Sequence, residues 1–118
     1  MRNSTNSSNH FPTAIELEQL AKTVKYNAGA LAHLCGYATN AWRWRREFRQ
    51  RFDCTPRAWL TEARIKEAKS RMLFGERPKD MIYDLGFVDL SHLSHSFKHV
   101  DGHSPSQFIS TQPSAQEH

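Results

Sequence analysis

The chain has 118 residues, a length typical of one compact domain. Its 16 Lys and Arg against 12 Asp and Glu give a net charge of +4, which permits nucleic-acid binding without establishing it. No apolar run approaches the roughly 18 residues of a membrane span, and the polar start lacks the apolar core of a signal peptide. We therefore expect a cytoplasmic protein with no membrane partner.

The two cysteines, Cys35 and Cys54, are too few for a disulfide scaffold and lack the CxxC spacing of common zinc sites. We expect ordinary thiols in a reducing compartment. The chain also lacks a Ser-His-Asp arrangement, a catalytic carboxylate pair and a phosphate-binding loop. These features predict no enzyme, no cofactor and no metal site.

Seven helices and no convincing strand are predicted between a polar, disordered N-terminal tail at 1–11 and a C-terminal tail at 111–118. The first helix opens at Thr13, where Thr13 and Glu16 form a capping box, and it ends near residue 27. Its predicted apolar stripe consists of Ile15, Leu17, Leu20, Ala21 and Val24. A second helix covers 28–35, begins at an Asn27 cap and ends at Gly36. Its predicted inward residues are Leu31, Ala32 and Leu34.

The third and fourth helices are predicted over 41–52 and 56–74. In the third, Trp44, Phe48 and Phe52 recur every four residues and indicate its buried side. The fourth opens at Thr55-Pro56, a cap followed by proline at the first helical position. Between Trp42 and Arg71, ten basic residues are interrupted by only four acids. This half of the chain is therefore expected to be electropositive.

The remaining helices are predicted over 78–86, 90–100 and 105–109. Leu90, Leu93, Phe97 and Val100 indicate the inward side of the helix at 90–100. A second capping box, formed by Ser104 and Gln107, opens the last helix.

The chain contains an internal repeat with a spacing of about 49 residues. Gly36-Tyr37 corresponds to Gly86-Phe87, and Phe48 corresponds to Phe97. Eight residues further on, Thr55-Pro56 corresponds to Ser104-Pro105. A repeated glycine turn, amphipathic helix and capped helix start predict a duplicated helix-turn-helix, which indicates DNA as the partner.

The outward sides of the two repeated helices differ. Opposite Phe48 lie Trp42, Arg45, Arg46 and Arg49, a surface suited to the major groove because arginine pairs with guanine and an apolar ring contacts the thymine methyl. Opposite Phe97 lie Ser91, His92, His95, Lys98 and His99, a polar and less basic surface. Histidines 92, 95, 99 and 103 leave a metal- or pH-responsive regulator as an alternative function. A partner-binding module without specific DNA binding is a third.

The second repeat resembles the signature of the AraC/XylS family of bacterial transcription regulators. The resemblance spans about residues 15–109 and is most specific where the chain reads LGFVDLSHLSHSFKHVDGHSPSQF. Arg64, Ile65 and Ala68 also resemble the linker helix of that family. The family implies two helix-turn-helix units joined by this helix, with recognition helices in successive major-groove segments on one face of DNA. A monomer would then suffice to read two half-sites.

Carried over by position, the resemblance implies base contacts by Trp42, Arg45, Arg46, Leu90, Ser91 and His95. The helical wheel selects the same residues except Leu90, which it turns inward, and it adds His92. We predict base contacts by Trp42, Arg45, Arg46, Ser91, His92 and His95. We predict phosphate contacts by Arg43, Arg49, Lys98 and His99.

Three departures from the family pattern indicate a weaker second reader and an altered first turn. Gly36 and Phe48 are twelve positions apart, about two more than in the family's first unit, and the extra length falls near residues 38–39. Ile82 stands where the family has a small residue, and His95 stands where arginine is common. We therefore expect the first unit to supply most of the affinity and base reading.

The domain organisation follows from the resemblance. We predict a first helix-turn-helix unit at 12–54, a linker helix at 55–75 and a second unit at 76–110. No separate sensing domain fits in this length, so that the chain resembles the short, single-domain members. Met1 and two polar tails favour a complete small protein, and a piece of a longer regulator is the alternative. We expect it to regulate transcription as a monomer on double-stranded DNA, with RNA polymerase left open as a second partner.

Overall fold

The computed structural model of the protein describes residues 11–112. Over this range the secondary structure comprises six α-helices, one 3₁₀ helix and no strand, as the all-helical prediction requires. The α-helices are α1 (Ala14–Thr23), α2 (Ala28–Leu34), α3 (Ala41–Phe52), α4 (Pro56–Leu73), α5 (Leu90–Asp101) and α6 (Pro105–Ser110). The 3₁₀ helix spans Pro78–Asp80.

The chain divides into two compact units, Met1–Trp59 and Leu60–His118. The boundary falls inside α4, so that this helix contributes residues to both units. None of the helices between residues 11 and 112 has both the length and the apolar character that a membrane span requires.

An aromatic cluster forms the core of the first unit. Phe48 is fully buried, and the ring of Trp44 packs against it with 5.3 Å between ring centres. Phe11 stacks on Trp44 at 5.5 Å and is itself buried. The prediction that residue 11 belongs to a polar tail is therefore wrong, because this phenylalanine completes the core. Apart from Phe11, Thr111 and Gln112, the predicted tails lie outside the described residues.

The caps predicted for α1 and α2 are confirmed, but the end of α1 is not. Thr13 and Glu16 form the reciprocal capping box, and the Asn27 side chain accepts a hydrogen bond from the Ala30 amide. However, α1 ends at Thr23 rather than near residue 27. Lys25 and Tyr26 have φ values of 53° and 62°, and this left-handed turn buries Tyr26. The helix cannot continue through these two residues.

Two apolar residues predicted to face inward are exposed. Ile15 is 74% exposed, because α1 buries Leu17 and Ala21, and Ile15 lies about 200° from Leu17 around the helix. Leu34, at the last position of α2, is 47% exposed. The apolar stripe of each helix is therefore narrower than its sequence indicates.

The second unit has its own apolar core. Ile65, Ala68, Met81, Leu85, Leu93 and Phe97 are all fully buried. Lys69 on α4 binds Asp101 at the end of α5, with 2.8 Å between Nζ and the carboxylate. Arg71 contacts Glu67, Glu76 and Asp84 with separations of 3.1–3.5 Å. Apart from the pair with Glu67 of the same helix, these ion pairs connect the last turns of α4 to the segments that follow it.

The helix predicted over 78–86 is not a regular α-helix. After the 3₁₀ helix, the chain continues in turns to Gly86, whose φ is +76°. The hydrogen bonds here span three, four and five residues: Gly86 N–H donates to Tyr83 O, Leu85 N–H to Met81 O, and Phe87 N–H to Ile82 O. Without a continuous ladder of four-residue bonds, no α-helix forms. Ile82, the bulky residue in this segment, is half-buried.

Candidate nucleic-acid interface

The helix α3 begins where the lengthened turn ends. Gly36 has a φ of +89°, which closes α2 and lets Tyr37 enter the core. Asn40 then caps α3, since its side chain accepts a hydrogen bond from the Arg43 amide at 3.1 Å. Trp44 and Phe48 face the core. This arrangement leaves the opposite side of α3 to solvent.

The exposed side of α3 carries all three residues predicted to contact bases in the first unit. Trp42 is 62% exposed, and Arg45 and Arg46 are exposed as well. The guanidinium carbon of Arg46 lies 4.5 Å from the centre of the Trp42 ring, in cation–π geometry. Arg49, a predicted phosphate contact, is also exposed. The structure therefore brings an aromatic ring and three arginines together on one surface.

Arg43, the other predicted phosphate contact on α3, is bound to an acid of the same helix. Its Nε donates to Glu47 Oε2 at 2.7 Å, and the hydroxyl of Tyr37 donates to the second carboxylate oxygen, Oε1, at 2.6 Å. These hydrogen bonds, the one from Arg43 first, hold the pKa of Glu47 below its ordinary value. Burial, followed by the bond to Glu47, raises the pKa of Tyr37 to about 12. At neutral pH the group thus consists of a cation, an anion and a neutral phenol.

The exposed side of α5 is polar. Ser91, His95, Lys98 and His99 are all exposed. With Leu90, Ser94 and Ser104 they line an open depression of about 620 Å³. Leu90 is 43% exposed, so that the inward position given by the helical wheel is wrong for this first residue of the helix.

His92 differs from the other predicted residues on α5 because it is half-buried. Its Nδ1 accepts a hydrogen bond from the Val88 amide at 3.2 Å, and its ring is perpendicular to the Phe87 ring, with 5.0 Å between the ring centres. Its own amide donates to Asp89, the cap of α5. The imidazole is therefore directed toward the turn that precedes the helix.

Arg64 of α4 contacts the same turn. Its Nη1 donates to the carbonyls of Leu85 and Gly86 at 3.4 and 3.2 Å, and its guanidinium lies over the Phe87 ring at 4.5 Å. Carbonyls at a glycine turn are the acceptors left over when a helical segment ends. Arg64 thus fixes the turn from which α5 starts.

The described part of the chain holds no group of three or more His, Cys, Asp or Glu side chains able to bind a metal ion. The histidines at 92, 95, 99 and 103 therefore do not form such a group of three or more. Neither Cys35 nor Cys54 forms a disulfide. Burial raises the pKa of Cys35 to about 11, which keeps it protonated at neutral pH.

Three residues that position the interface were not among the predicted site residues: Tyr37, Glu47 and Arg64. The pair of Arg43 and Glu47 was readable from its spacing of four in a helix. The contact of Tyr37 with Glu47 depends on the path of the turn between them, which the sequence pattern does not specify. Arg64 lies 21 and 22 positions before the carbonyls that it binds, so that no local pattern in the sequence indicates this contact.

A family model described as "Helix-turn-helix domain" matches residues 37–111. This range contains α3, α4, the 3₁₀ helix, α5 and α6. No curated protein and no solved structure matches the chain significantly.

Proposed function

Because the chain belongs to the AraC/XylS family of helix-turn-helix DNA-binding transcription regulators, we propose that it reads a specific duplex sequence through two helices. In this proposal α3 and α5 enter adjacent major-groove segments, and each reads one half-site. The observation that carries the proposal is the exposed pair of Trp42 and Arg46 on α3. Single exposed apolar side chains are common, but an exposed indole next to a guanidinium suits thymine methyls and guanine edges.

The roles of the two helices are unequal. On α3, Trp42, Arg45 and Arg46 contact bases, while Arg43 and Arg49 bind phosphates. On α5, Ser91 and His95 contact bases from the exposed side, and Lys98 and His99 bind phosphates. His92 has base reading as its predicted role, and its contacts with Val88 and Phe87 support a role in orienting α5 as well. The denser positive charge of α3 supports the larger share of affinity.

The remaining features of the proposal concern the cellular context. The protein acts in the cytoplasm as a monomer on DNA, since two readers in one chain make a dimer unnecessary for two half-sites. RNA polymerase is the candidate protein partner of such a regulator. DNA binding of this kind requires no catalytic step.

Selection from a random duplex library, followed by fluorescence anisotropy at several salt concentrations, tests the proposal. We expect an enriched sequence with two half-sites whose centres lie about 10–10.5 base pairs apart. Enrichment of a single half-site would leave one unit as the only reader. Salt-dependent binding without enrichment would contradict sequence-specific reading, and no binding to any duplex would favour a partner-binding module.

A further inference from the structure

Glu47 is an acid in the middle of the most basic helix of the protein. The sequence of α3 contains five arginines and this one carboxylate. Its side chain is only 17% exposed, and both of its oxygens accept hydrogen bonds, one from Arg43 and one from Tyr37. A negative charge on a surface that approaches phosphates opposes binding unless it performs another task.

We propose that Glu47 is a positioning residue that holds Arg43 in place as a phosphate clamp, and that Tyr37 anchors Glu47 to the core. The inference rests on the proposed function, since it assumes that the exposed side of α3 meets DNA. It assigns to Tyr37 and Glu47 a part in binding although neither touches the nucleic acid.

The geometry of the guanidinium supports this role. Arginine has five N–H donors in a planar fork, and Glu47 engages Nε. The two Nη groups at the end of the fork are then directed away from Nε and suit a phosphate end-on. The Arg43 guanidinium is therefore held through Nε, while the side chain as a whole remains 47% exposed and accessible to a phosphate.

The anchoring by Tyr37 gives the arrangement its rigidity. The Tyr37 ring is buried, and it packs against Trp44 and Phe11 with ring centres 5.2 and 6.0 Å apart. Its hydroxyl therefore has a fixed position relative to the core, and the short bond to Glu47 passes this restraint to Arg43. An arginine that is ordered before DNA arrives loses less conformational entropy on binding.

Two interpretations of Glu47 predict opposite changes in DNA affinity when its carboxylate is removed. If the carboxylate only adds negative charge to the interface, its removal strengthens DNA binding and steepens the salt dependence. If it positions Arg43, its removal weakens binding even though the surface becomes more positive. Glu47→Ala and the isosteric Glu47→Gln remove the charge, whereas Tyr37→Phe removes only the anchoring hydroxyl and keeps the ring in the core. Asp53→Asn, at the C-cap of α3, is the control that also removes one negative charge.

The experiment measures the dissociation constant of each full-length variant for the selected duplex and for a random duplex, between 50 and 200 mM salt. Glu47→Ala should weaken binding to both duplexes by roughly three- to tenfold, as expected for one charge-assisted hydrogen bond. The slope of log K against log salt should become shallower by about 0.9, the value for one lost phosphate contact. Tyr37→Phe should also weaken binding and reduce the salt slope, but by smaller amounts. Asp53→Asn should not weaken binding.

A double-mutant cycle with Arg43→Ala decides whether Glu47 acts through Arg43. Loss of Glu47 should then cost nothing further in the Arg43→Ala protein. Unchanged or tighter binding by Glu47→Ala, or an equal loss in both backgrounds, would overturn the inference. If circular dichroism shows that Glu47→Ala does not fold, Glu47→Gln and Tyr37→Phe test the same predicted loss of affinity. A wild-type protein that binds no duplex would instead refute the proposed function, so that the two failures are distinguishable.

Discussion

The guanidinium of Arg46 lies over the indole of Trp42, with 4.5 Å from its central carbon to the centre of the ring. The two residues are four positions apart on the exposed side of α3, where consecutive turns of a helix bring side chains together. An exposed cation–π contact contributes about 0.5–1 kcal/mol. The contact therefore orders Arg46 in the free protein at the place where a base edge would be read.

The first prediction concerns this pair. Arg46→Ala should weaken binding to the selected duplex by about 1–3 kcal/mol, because a bidentate contact with guanine is lost. Binding to a random duplex should weaken less, since no base is read there. Anisotropy titrations with both duplexes give the two values.

Arg46→Lys keeps the charge and removes the planar fork, so that it serves as the matched control. It should lose nearly as much specificity as Arg46→Ala while retaining the binding to random DNA. Equal losses on both duplexes for Arg46→Ala would instead make Arg46 a phosphate contact.

The second prediction compares the two helices through their proposed phosphate contacts. Arg49→Ala on α3 and Lys98→Ala on α5 should each weaken binding uniformly across sequences and reduce the salt slope by about 1. Both side chains are exposed, so that the folded state should tolerate the change. A salt titration of each variant on specific and random duplexes measures the effect. A change in the preferred sequence for either variant would contradict the assignment to phosphate.

Much of the fold was readable from local rules, and the misses have physical causes. Thr13, Asn27 and Ser104 cap helices as predicted, because a cap depends on residues within three positions. The left-handed turn at Lys25 and Tyr26 contains no glycine that would have indicated it in the sequence. It is stabilised by the burial of Tyr26, a tertiary effect.

In the candidate site, too, local rules predict some features and tertiary contacts determine others. The exposure of Trp42 and Arg46 on α3 follows from helical periodicity, and Arg45 is exposed as well. The position of His92 does not follow from periodicity, because the hydrogen bond from the Val88 amide and the contact with Phe87 draw its ring toward the turn. Such contacts arise between a helix and the loop before it, and a wheel describes the helix alone.

The third prediction concerns Arg64 and the turn before α5. Arg64→Ala should destabilise the fold by about 1–3 kcal/mol, because the carbonyls of Leu85 and Gly86 lose a charged donor and Phe87 loses its stacking partner. Urea unfolding measures the change in the free energy of unfolding. Arg64→Lys keeps the charge without the planar group and should recover only part of the stability. A neutral effect of Arg64→Ala would mean that the turn is held by its own hydrogen bonds.

The same variant should also affect DNA reading in a selective way. Since Arg64 supports the start of α5 and is not placed on the exposed side of α3, its loss should reduce discrimination at the half-site read by α5. Selection from the duplex library with Arg64→Ala under folding conditions tests this expectation. A loss confined to the half-site read by α3 would contradict the assignment of Arg64 to the second reader.

The fourth prediction concerns acid stability and the contact between Lys69 and Asp101. Hydrogen bonding to Lys69, and more weakly to His103, holds the pKa of Asp101 below its ordinary value of about 3.9. A carboxyl whose pKa is lower in the folded state stabilises the protein fully above its unfolded pKa. That stabilisation is lost as the pH falls through the folded pKa. Stability should therefore decline below about pH 4.

Asp101→Asn tests this dependence. The variant should lose about 0.5–1 kcal/mol of stability at neutral pH, a modest value because Lys69 is 37% exposed and its charge is screened by water. Its unfolding free energy should also fall less between pH 6 and pH 2 than that of the wild type. Urea unfolding at several pH values measures both quantities, with Asp80→Asn as a control, since Asp80 pairs with the exposed Arg77. Parallel pH profiles for wild type and Asp101→Asn would show that other carboxyl groups govern the acid limb.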